Sequence, residues 1–370
     1  MFEKISRSAE IPTLIINRGV IKHKYHEFHD RFSRAKIYYA LKANPHPEIV
    51  RVLHECGCAF EISSQGELEL LLKLKISPSE IISGNPIKEQ SFIKLAHAHG
   101  IELFTFDSYA EVAKLSQFAP GSKVCVRLAV SNEGSEWPLS NKFGVDMEEA
   151  VELLINAQEK GLTPYGIAFH VGSQCTNAQA WDSAIEKSKM VWELVKDIGI
   201  RLYMLNIGGG FPVKYTKPVP SLEEIAQVIA DSVRKNFPDD IELVVTPGRA
   251  LVGEAGTLVA TVIAKAARDG QKWLYLNVGV FNGLMESIGG IKYPIATVEY
   301  DPNVSRGNDG ISKWTLAGPS CDSFDVMSTE VELPDLDIEE RIHIMSAGAY
   351  TTAYASEFDG FPIPITHFVD

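Results

Sequence analysis

A chain of 370 residues suggests two domains, at roughly 100–200 residues per domain. With 45% hydrophobic and 22% charged residues it has the composition of a globular protein, which excludes disordered, collagen-like and coiled-coil readings. Its 35 basic against 48 acidic residues give a net charge of -13, which repels nucleic-acid phosphates and anionic membranes, so neither is an expected partner.

The opening MFEKISRSAEIPTLIINRG holds no apolar run of signal-peptide length. No later stretch approaches the 18 or so apolar residues of a membrane span, so a cytoplasmic protein is expected. From residue 36 a unit recurs: a β-branched or aromatic run, a loop, then apolar residues at helical spacing. The predicted strands are KIYYALK (36–42), AFEIS (59–63), IISG (81–84), LFTFD (103–107), KVCVRLA (123–129), YGIAFHV (165–171), RLYMLNIGG (201–209) and ELVVTPG (242–248). Between them PEIVRVLHE, GELELLLKL, FIKLAHAHG, MEEAVELLINAQEKG, WDSAIEKSKMVWELVKDI and SLEEIAQVIADSVRKNF read as amphipathic helices, several opened by Ser, Asp or Pro. Eight such units predict a (β/α)8 barrel of parallel strands over residues 17–255, with a doubly wound open sheet as the alternative. After residue 256 the runs TLVATVIAKAA, KWLYLNVG, PIATVEY, KWTLAG and RIHIMS lack helical periodicity, so residues 1–16 and 256–370 are expected to form an antiparallel β domain. The segment 301–313 reads as a polar loop rich in turn residues.

The five cysteines, Cys56, Cys58, Cys125, Cys175 and Cys321, are scattered and odd in number, which suits a reducing compartment better than a disulfide framework. Cys56-x-Cys58 lacks the second ligand pair of a structural zinc site, so packing in the core or at a helix end is expected there, and no metal.

Functional groups of such a barrel gather at the carboxyl ends of the strands. There the chain carries Lys42, then Ser63 and Ser64 with Glu67 beyond, Arg127, His170 with Ser173, Gly208-Gly209-Gly210, and Thr246-Pro247-Gly248-Arg249. Glycine lets backbone amides approach an anion closely, so the two glycine runs read as a phosphate nest, with Arg249 supplying charge, or else as tight turns. Lys42 closes an apolar strand, where desolvation favours the neutral amine that attacks a carbonyl to give a Schiff base, unless it snorkels to solvent. An amine beside a phosphate nest points to pyridoxal phosphate or to a sugar-phosphate aldolase, and His170 then becomes a flat surface for a pyridine ring.

The motifs YYALKANP (38–45), FEISSQGEL (60–68), WPLSNKFGV (137–145), FHVGSQ (169–174), NIGGGFP (206–212), TPGR (246–249), GPSCDSFD (318–325) and GAYTTAYASEFDGFP (348–362), in this order, carry a resemblance over nearly the whole chain. The chain resembles the pyridoxal-phosphate-dependent decarboxylases of the ornithine, lysine and diaminopimelate type, and looks like their short bacterial ornithine/lysine members. The resemblance implies a cofactor-binding barrel with a C-terminal β domain, and a homodimer that shares active sites across its interface. It implies that Lys42 binds pyridoxal 5'-phosphate covalently and that His170 stacks on the ring. Ser173, Gly209, Gly210, Gly248, Arg249 and Tyr350 would hold the cofactor around its phosphate, and Thr246 would lie by the ring. Cys321 would come from the partner subunit to protonate the carbanion, with Asp322 beside it meeting the distal amine of a small amino-acid substrate. Without the resemblance, Cys321-Asp322 is a turn at a strand end.

Two departures stand out. Position 246 is threonine where the family has a glutamate that keeps the pyridine nitrogen protonated, so the hydroxyl can hydrogen-bond but brings no charge. Pro294 stands where the eukaryotic ornithine enzymes have a second substrate-binding aspartate, which leaves Asp322 as the candidate for distal recognition. The expected function is decarboxylation of a basic L-amino acid of ornithine or lysine type. Decarboxylation of a modified amino acid in a specialised pathway, or a weakened binding homologue, stays open. Alanine racemases differ in the residues after the lysine, here Ala43-Asn44-Pro45-His46-Pro47, and an aldolase needs neither the Cys-Asp motif nor a β domain.

Overall fold

In the computed structural model, which describes residues 2–8, 11–138, 142–297 and 310–370, each of the eight predicted runs forms a strand. They are β1 Ala35–Ala40, β2 Ala59–Ile62, β3 Ile81–Ser83, β4 Leu103–Phe106, β5 Lys123–Arg127, β6 Thr163–Ala168, β7 Met204–Asn206 and β8 Glu242–Val245. All neighbouring pairs are parallel, and β8 closes on β1 with Val245 opposite Ile37, giving a barrel without edges.

The predicted helices form between the strands, and four of them have a start that the sequence explains. Pro47–Glu55 has Pro at its first turn and His46 as cap, Nδ1 accepting from the Glu48 amide at 3.2 Å. Gln65–Lys73, Met147–Glu159 and Leu222–Asn236 start behind Ser64, Asp146 and Ser221, whose side chains accept from amides three residues on. Gln90–Ala98 and Gln179–Asp197 complete the predicted set. Arg18–Arg31 and Tyr109–Phe118 were not anticipated, and neither were the short helices Phe2–Ser8 and Arg249–Val252. The first buries Ile21, Tyr25 and Phe28 at helical spacing, but the charged and histidine residues among them dilute the pattern.

Side chains two apart on a strand share a face, so each barrel strand contributes successive layers to the interior. Tyr38, Ala59, Ile82, Cys125, Ala168, Met204 and Val244 form a buried apolar layer, with Leu103 of β4 packed against it. Two residues further on, the inward positions are Ala40, Glu61, Gly84, Thr105, Arg127, His170, Asn206 and Thr246, and the layer turns polar. Burial at about 25 cal/mol per Å² of apolar surface stabilises the lower layer, and the upper one is left for chemistry.

Contacts divide the chain into two units, Lys22–Pro212 with Val219–Gly248, and Met1–Ile21 with Val213–Pro218 and Arg249–Asp370. By contacts the division falls after Ile21 and Gly248, and the sequence places it after residues 16 and 255. The short stretch Val213–Pro218 was not expected in the β unit. Its backbone is tied there by the Lys214 amide donating to Glu254 and the Ser346 hydroxyl donating to the Lys214 carbonyl, each at 3.3 Å.

Among the described residues the β unit has a sheet of eight strands: Thr13–Asn17, Gly256–Arg268, Gln271–Leu276, Ile295–Thr297, Ile311–Ala317, Val326–Pro334, Arg341–Ile344 and Ile365–Val369. The expectation of an antiparallel domain is corrected: the sheet is mixed. Gln271–Leu276 pairs parallel with Ile311–Ala317, and Thr13–Asn17 pairs parallel with Ile365–Val369. A two-residue hairpin dictates antiparallel pairing, as at Asp269-Gly270, where φ is 49° and 78°. Both parallel pairs join segments distant in sequence, where no turn sets direction. Of the predicted loop 301–313, residues 301–309 lie outside the described residues, as do 298–300 of the PIATVEY run and 139–141 of the WPLSNKFGV motif. Ile311 already begins a strand.

Cys56 caps the end of Pro47–Glu55, and Cys58 is buried with its thiol on the Ala59 carbonyl at 3.2 Å. Both match the packing reading. None of the described helices is long and apolar enough to cross a membrane.

Candidate active site

The strands stop one to three residues before the predicted runs do, because the site residues turn out of the sheet. Lys42 is not the last residue of β1 but the middle of a one-turn 3-10 helix, Leu41–Ala43. That turn is fixed by the Tyr39 hydroxyl donating to the Asn44 carbonyl at 3.0 Å and the Ala40 amide donating to the Pro247 carbonyl at 3.0 Å. Lys42 is exposed and lines a cavity of about 260 Å³ at the carboxyl ends of the strands, together with Glu61, Arg127, His170, Asn206 and Thr246. An apolar cavity of roughly 150 Å³ already holds a benzene ring, so this one has room for a pyridine ring and substituents.

His170 follows β6, and its Nδ1 accepts from the Gly172 amide at 2.9 Å, which leaves the proton of the neutral ring on Nε2. Burial, reinforced by the Arg127 and Lys42 charges, holds its pKa well below the usual histidine range. Burial likewise pushes the Glu61 carboxyl up, while Lys42, Arg127 and a hydrogen bond from Thr246 pull it back. Burial also pushes Glu67 up, against its hydrogen bond from the Ser63 amide at 2.6 Å and the Lys42 charge. Ser173 begins a short strand, Ser173–Cys175, whose carbonyl at 173 accepts from the Ser135 hydroxyl at 2.8 Å.

The glycine run after β7 lies against the ends of β6 and β8. The Thr246 amide donates to the Gly208 carbonyl at 2.9 Å, and the Gly208 amide donates to Asn206 Oδ1 at 2.9 Å. Gly208 and Gly210 have φ of 70° and 98°, and a Cβ on Gly209 would lie 2.6 Å from the Thr246 carbonyl oxygen. The amides of Gly209 and Gly210 donate to nothing among the described residues. Phe211 anchors the run, its buried ring stacked on Trp181 at 5.1 Å and edge-on to Phe28 at 5.1 Å.

In the β unit Arg249, adjacent in sequence to the buried Gly248, has partners that sequence reasoning missed. It pairs with Glu286 through both terminal nitrogens, at 2.7 and 2.5 Å, and donates to the Tyr215 hydroxyl at 2.6 Å. Burial opposes the guanidinium charge, but Tyr215, Glu286 and Tyr350 outweigh it, and its pKa is raised well above the usual value. Whatever charge Arg249 lends an anion is thus shared with Glu286. Tyr350, at φ 59°, places its ring 4.9 Å from the Arg249 guanidinium carbon.

Cys321 is exposed, and its amide and thiol both donate to Asp359, at 3.2 and 3.3 Å. That hydrogen bond, with the Asp359 charge, pushes the thiol pKa up, so the proton stays on sulfur at neutral pH. Asp322 is half-buried and accepts from the Phe324 amide at 2.8 Å. The loop is built on Asp325, buried and accepting from Val280 and Ser320 amides at 2.7 and 3.0 Å, and too close to Gly279 and Gly318 for either to carry a Cβ. Asp325 stands inside the GPSCDSFD motif but was passed over, as were Glu286 and Asp359, because each acts through a partner distant in sequence.

Residues 18–253 match the family described as "Pyridoxal-dependent decarboxylase, pyridoxal binding domain". The chain belongs to the pyridoxal-dependent decarboxylases. It is 34% identical over 358 residues to the lysine/ornithine decarboxylase of Selenomonas ruminantium, covering 96% of this chain and 89% of that protein. Antizyme inhibitor 2 of Xenopus laevis is 31% identical over 368 residues, 96% of this chain and 80% of its own. Among solved structures, the lysine/ornithine decarboxylase of Vibrio vulnificus complexed with putrescine superposes with a TM-score of 0.89 at 31% identity, over 100% of this chain and 97% of that one.

As in any pyridoxal-dependent decarboxylase, the cofactor is pyridoxal 5'-phosphate. It requires an amine, a surface for its ring, donors for its phosphate and a partner for its ring nitrogen. The chain fits the first three of these needs in its barrel unit, with the Lys42 amine, a neutral His170 ring and unengaged amides at Gly209 and Gly210, around a cavity of sufficient size.

Proposed function

We propose that this decarboxylase removes the carboxylate of a basic L-amino acid of ornithine or lysine type. The observation that carries the reading is an exposed lysine at the mouth of a closed barrel, sharing one cavity with Glu61, Arg127, His170 and Thr246. Bound pyridoxal phosphate supplies the electron sink for the pair left behind when carbon dioxide departs. Lys42 would hold the cofactor through its Nζ, and the neutral His170 ring would face the pyridine. In the barrel unit Ser173, Gly209, Gly210 and Gly248 would hold the phosphate and Thr246 would lie by the ring; Arg249 and Tyr350 keep the phosphate roles that the resemblance implies. The protein works as a cytoplasmic homodimer whose sites are shared: the partner subunit's Cys321 gives the proton from its Sγ to the substrate α-carbon, and the partner's Asp322 meets the distal ammonium. A thiol that keeps its proton at neutral pH suits that donor role, and a carboxylate selects a cationic side chain by a charge-assisted hydrogen bond.

A second reading, a cofactor-binding homologue without turnover, is favoured by the likeness to an antizyme inhibitor and by Thr246. Holoprotein incubated with L-ornithine, L-lysine, L-arginine and meso-diaminopimelate, with carbon dioxide release as readout, separates them. Release from ornithine or lysine, with the matching diamine formed, is expected. Silence across the panel and across larger conjugates of these amino acids, with cofactor bound, would establish the second reading.

A further inference from the structure

Protonation of the ring nitrogen strengthens a pyridoxal cofactor as an electron sink, and a charged side chain beside that nitrogen sets its protonation. Thr246 brings a hydroxyl and no charge. Among the described residues lining the Lys42 cavity the acids reduce to one, Glu61. It points inward, two residues along β2 from the buried inward Ala59, and is hydrogen-bonded to Thr246 at the end of β8. The two inward positions beside it are the smallest in the layer: Ala40 opposite it on β1, and Gly84 following β3. A Cβ on Gly84 would stand 1.8 Å from Glu61 Oε1, so the carboxylate occupies space that only a glycine leaves. Glycine at 84, alanine at 40 and a hydroxyl at 246 thus converge on seating one long acid in the cavity wall.

Resting on the proposed function, we propose that Glu61, held by Thr246, is the carboxylate that keeps the cofactor's ring nitrogen protonated in this chain. Lys42, Arg127 and Glu67 are the other charged groups that act on Glu61. Arg127 is the rival for the role. An arginine would donate to an unprotonated ring nitrogen and weaken the sink, so the protonation state of the holoprotein distinguishes the two.

The test uses holoprotein carrying cofactor labelled at the ring nitrogen, with the nitrogen NMR shift followed against pH. Wild-type protein is expected to show a protonated ring nitrogen at neutral pH. Glu61→Gln is expected to lower the nitrogen's titration midpoint by about two pH units, in the range an adjacent opposite charge commands. Its kcat should fall about 100-fold with KM little changed. Adding Thr246→Glu to Glu61→Gln should restore both readouts, which a merely structural role for Glu61 does not predict. Should Glu61→Gln fail to fold, Thr246→Val removes the hydroxyl that holds the carboxylate and must move the midpoint in the same direction. An unprotonated nitrogen in wild type, or a midpoint unmoved in the variants, overturns the assignment alone. Wild-type protein that takes up no cofactor overturns the assignment together with the reading it rests on.

Discussion

His170 ties the chemistry of the site to the stability of the fold. In the unfolded chain a histidine takes up a proton near pH 6.5, roughly the value of a free side chain. In the folded chain burial, with Arg127 and Lys42, delays that uptake to well below it. Below about pH 6.5 the unfolded state therefore binds the extra proton, so stability is fully present above that pH and falls as the pH drops. The slope reaches about 1.4 kcal/mol per pH unit for one such histidine, and His343, also lowered by burial, adds to it. Thermal unfolding of the apoprotein is expected to shift downward on acidification through this window, and His170→Gln to flatten the shift. An equal pH slope in that variant would contradict the neutral buried ring. From sequence His170 was readable as a strand-end side chain, but its neutral state was not, since it depends on the Gly172 amide and on charges from other strands.

At the scale of elements, the barrel strands were legible because eight short apolar runs alternate with amphipathic stretches. Their carboxyl ends were not, because Lys42, His170 and the glycine run continue a strand-like pattern while leaving the ladder. Glu61 shows the same limit from the other side. Its inward direction follows from the alternation of AFEI, yet its partner Thr246 lies across β1 from it, and only closure of the barrel brings them together. The mixed character of the β sheet was hidden for a like reason, since strand direction is local only where a tight turn enforces it. The glycine run owes its position to Phe211, clamped among Trp181, Phe28 and Phe32. Phe211→Ala is expected to cost about 3–5 kcal/mol of stability, in line with large aromatic truncations, and to weaken cofactor binding with it. Chemical denaturation and a cofactor titration check both halves, and unaltered cofactor affinity in the variant would dissociate the anchor from the nest.

For the whole molecule, the two units carry different parts of the proposed chemistry: the barrel unit holds Lys42, Glu61, His170 and the glycine run, and the β unit holds Arg249, Cys321, Asp322 and Tyr350. Composition and strand count read both units from sequence, and motif order read the family. The Arg249–Glu286–Tyr215 cluster became visible only through folding, since its members lie 34 and 37 residues apart. Every role assigned across the molecule presupposes that the cofactor sits on Lys42. Borohydride reduction of the holoprotein followed by peptide mass mapping tests this most directly. The account predicts a single pyridoxyl adduct on the peptide bearing Lys42, absent from Lys42→Ala; an adduct on another lysine, or none from protein saturated with cofactor, would contradict it.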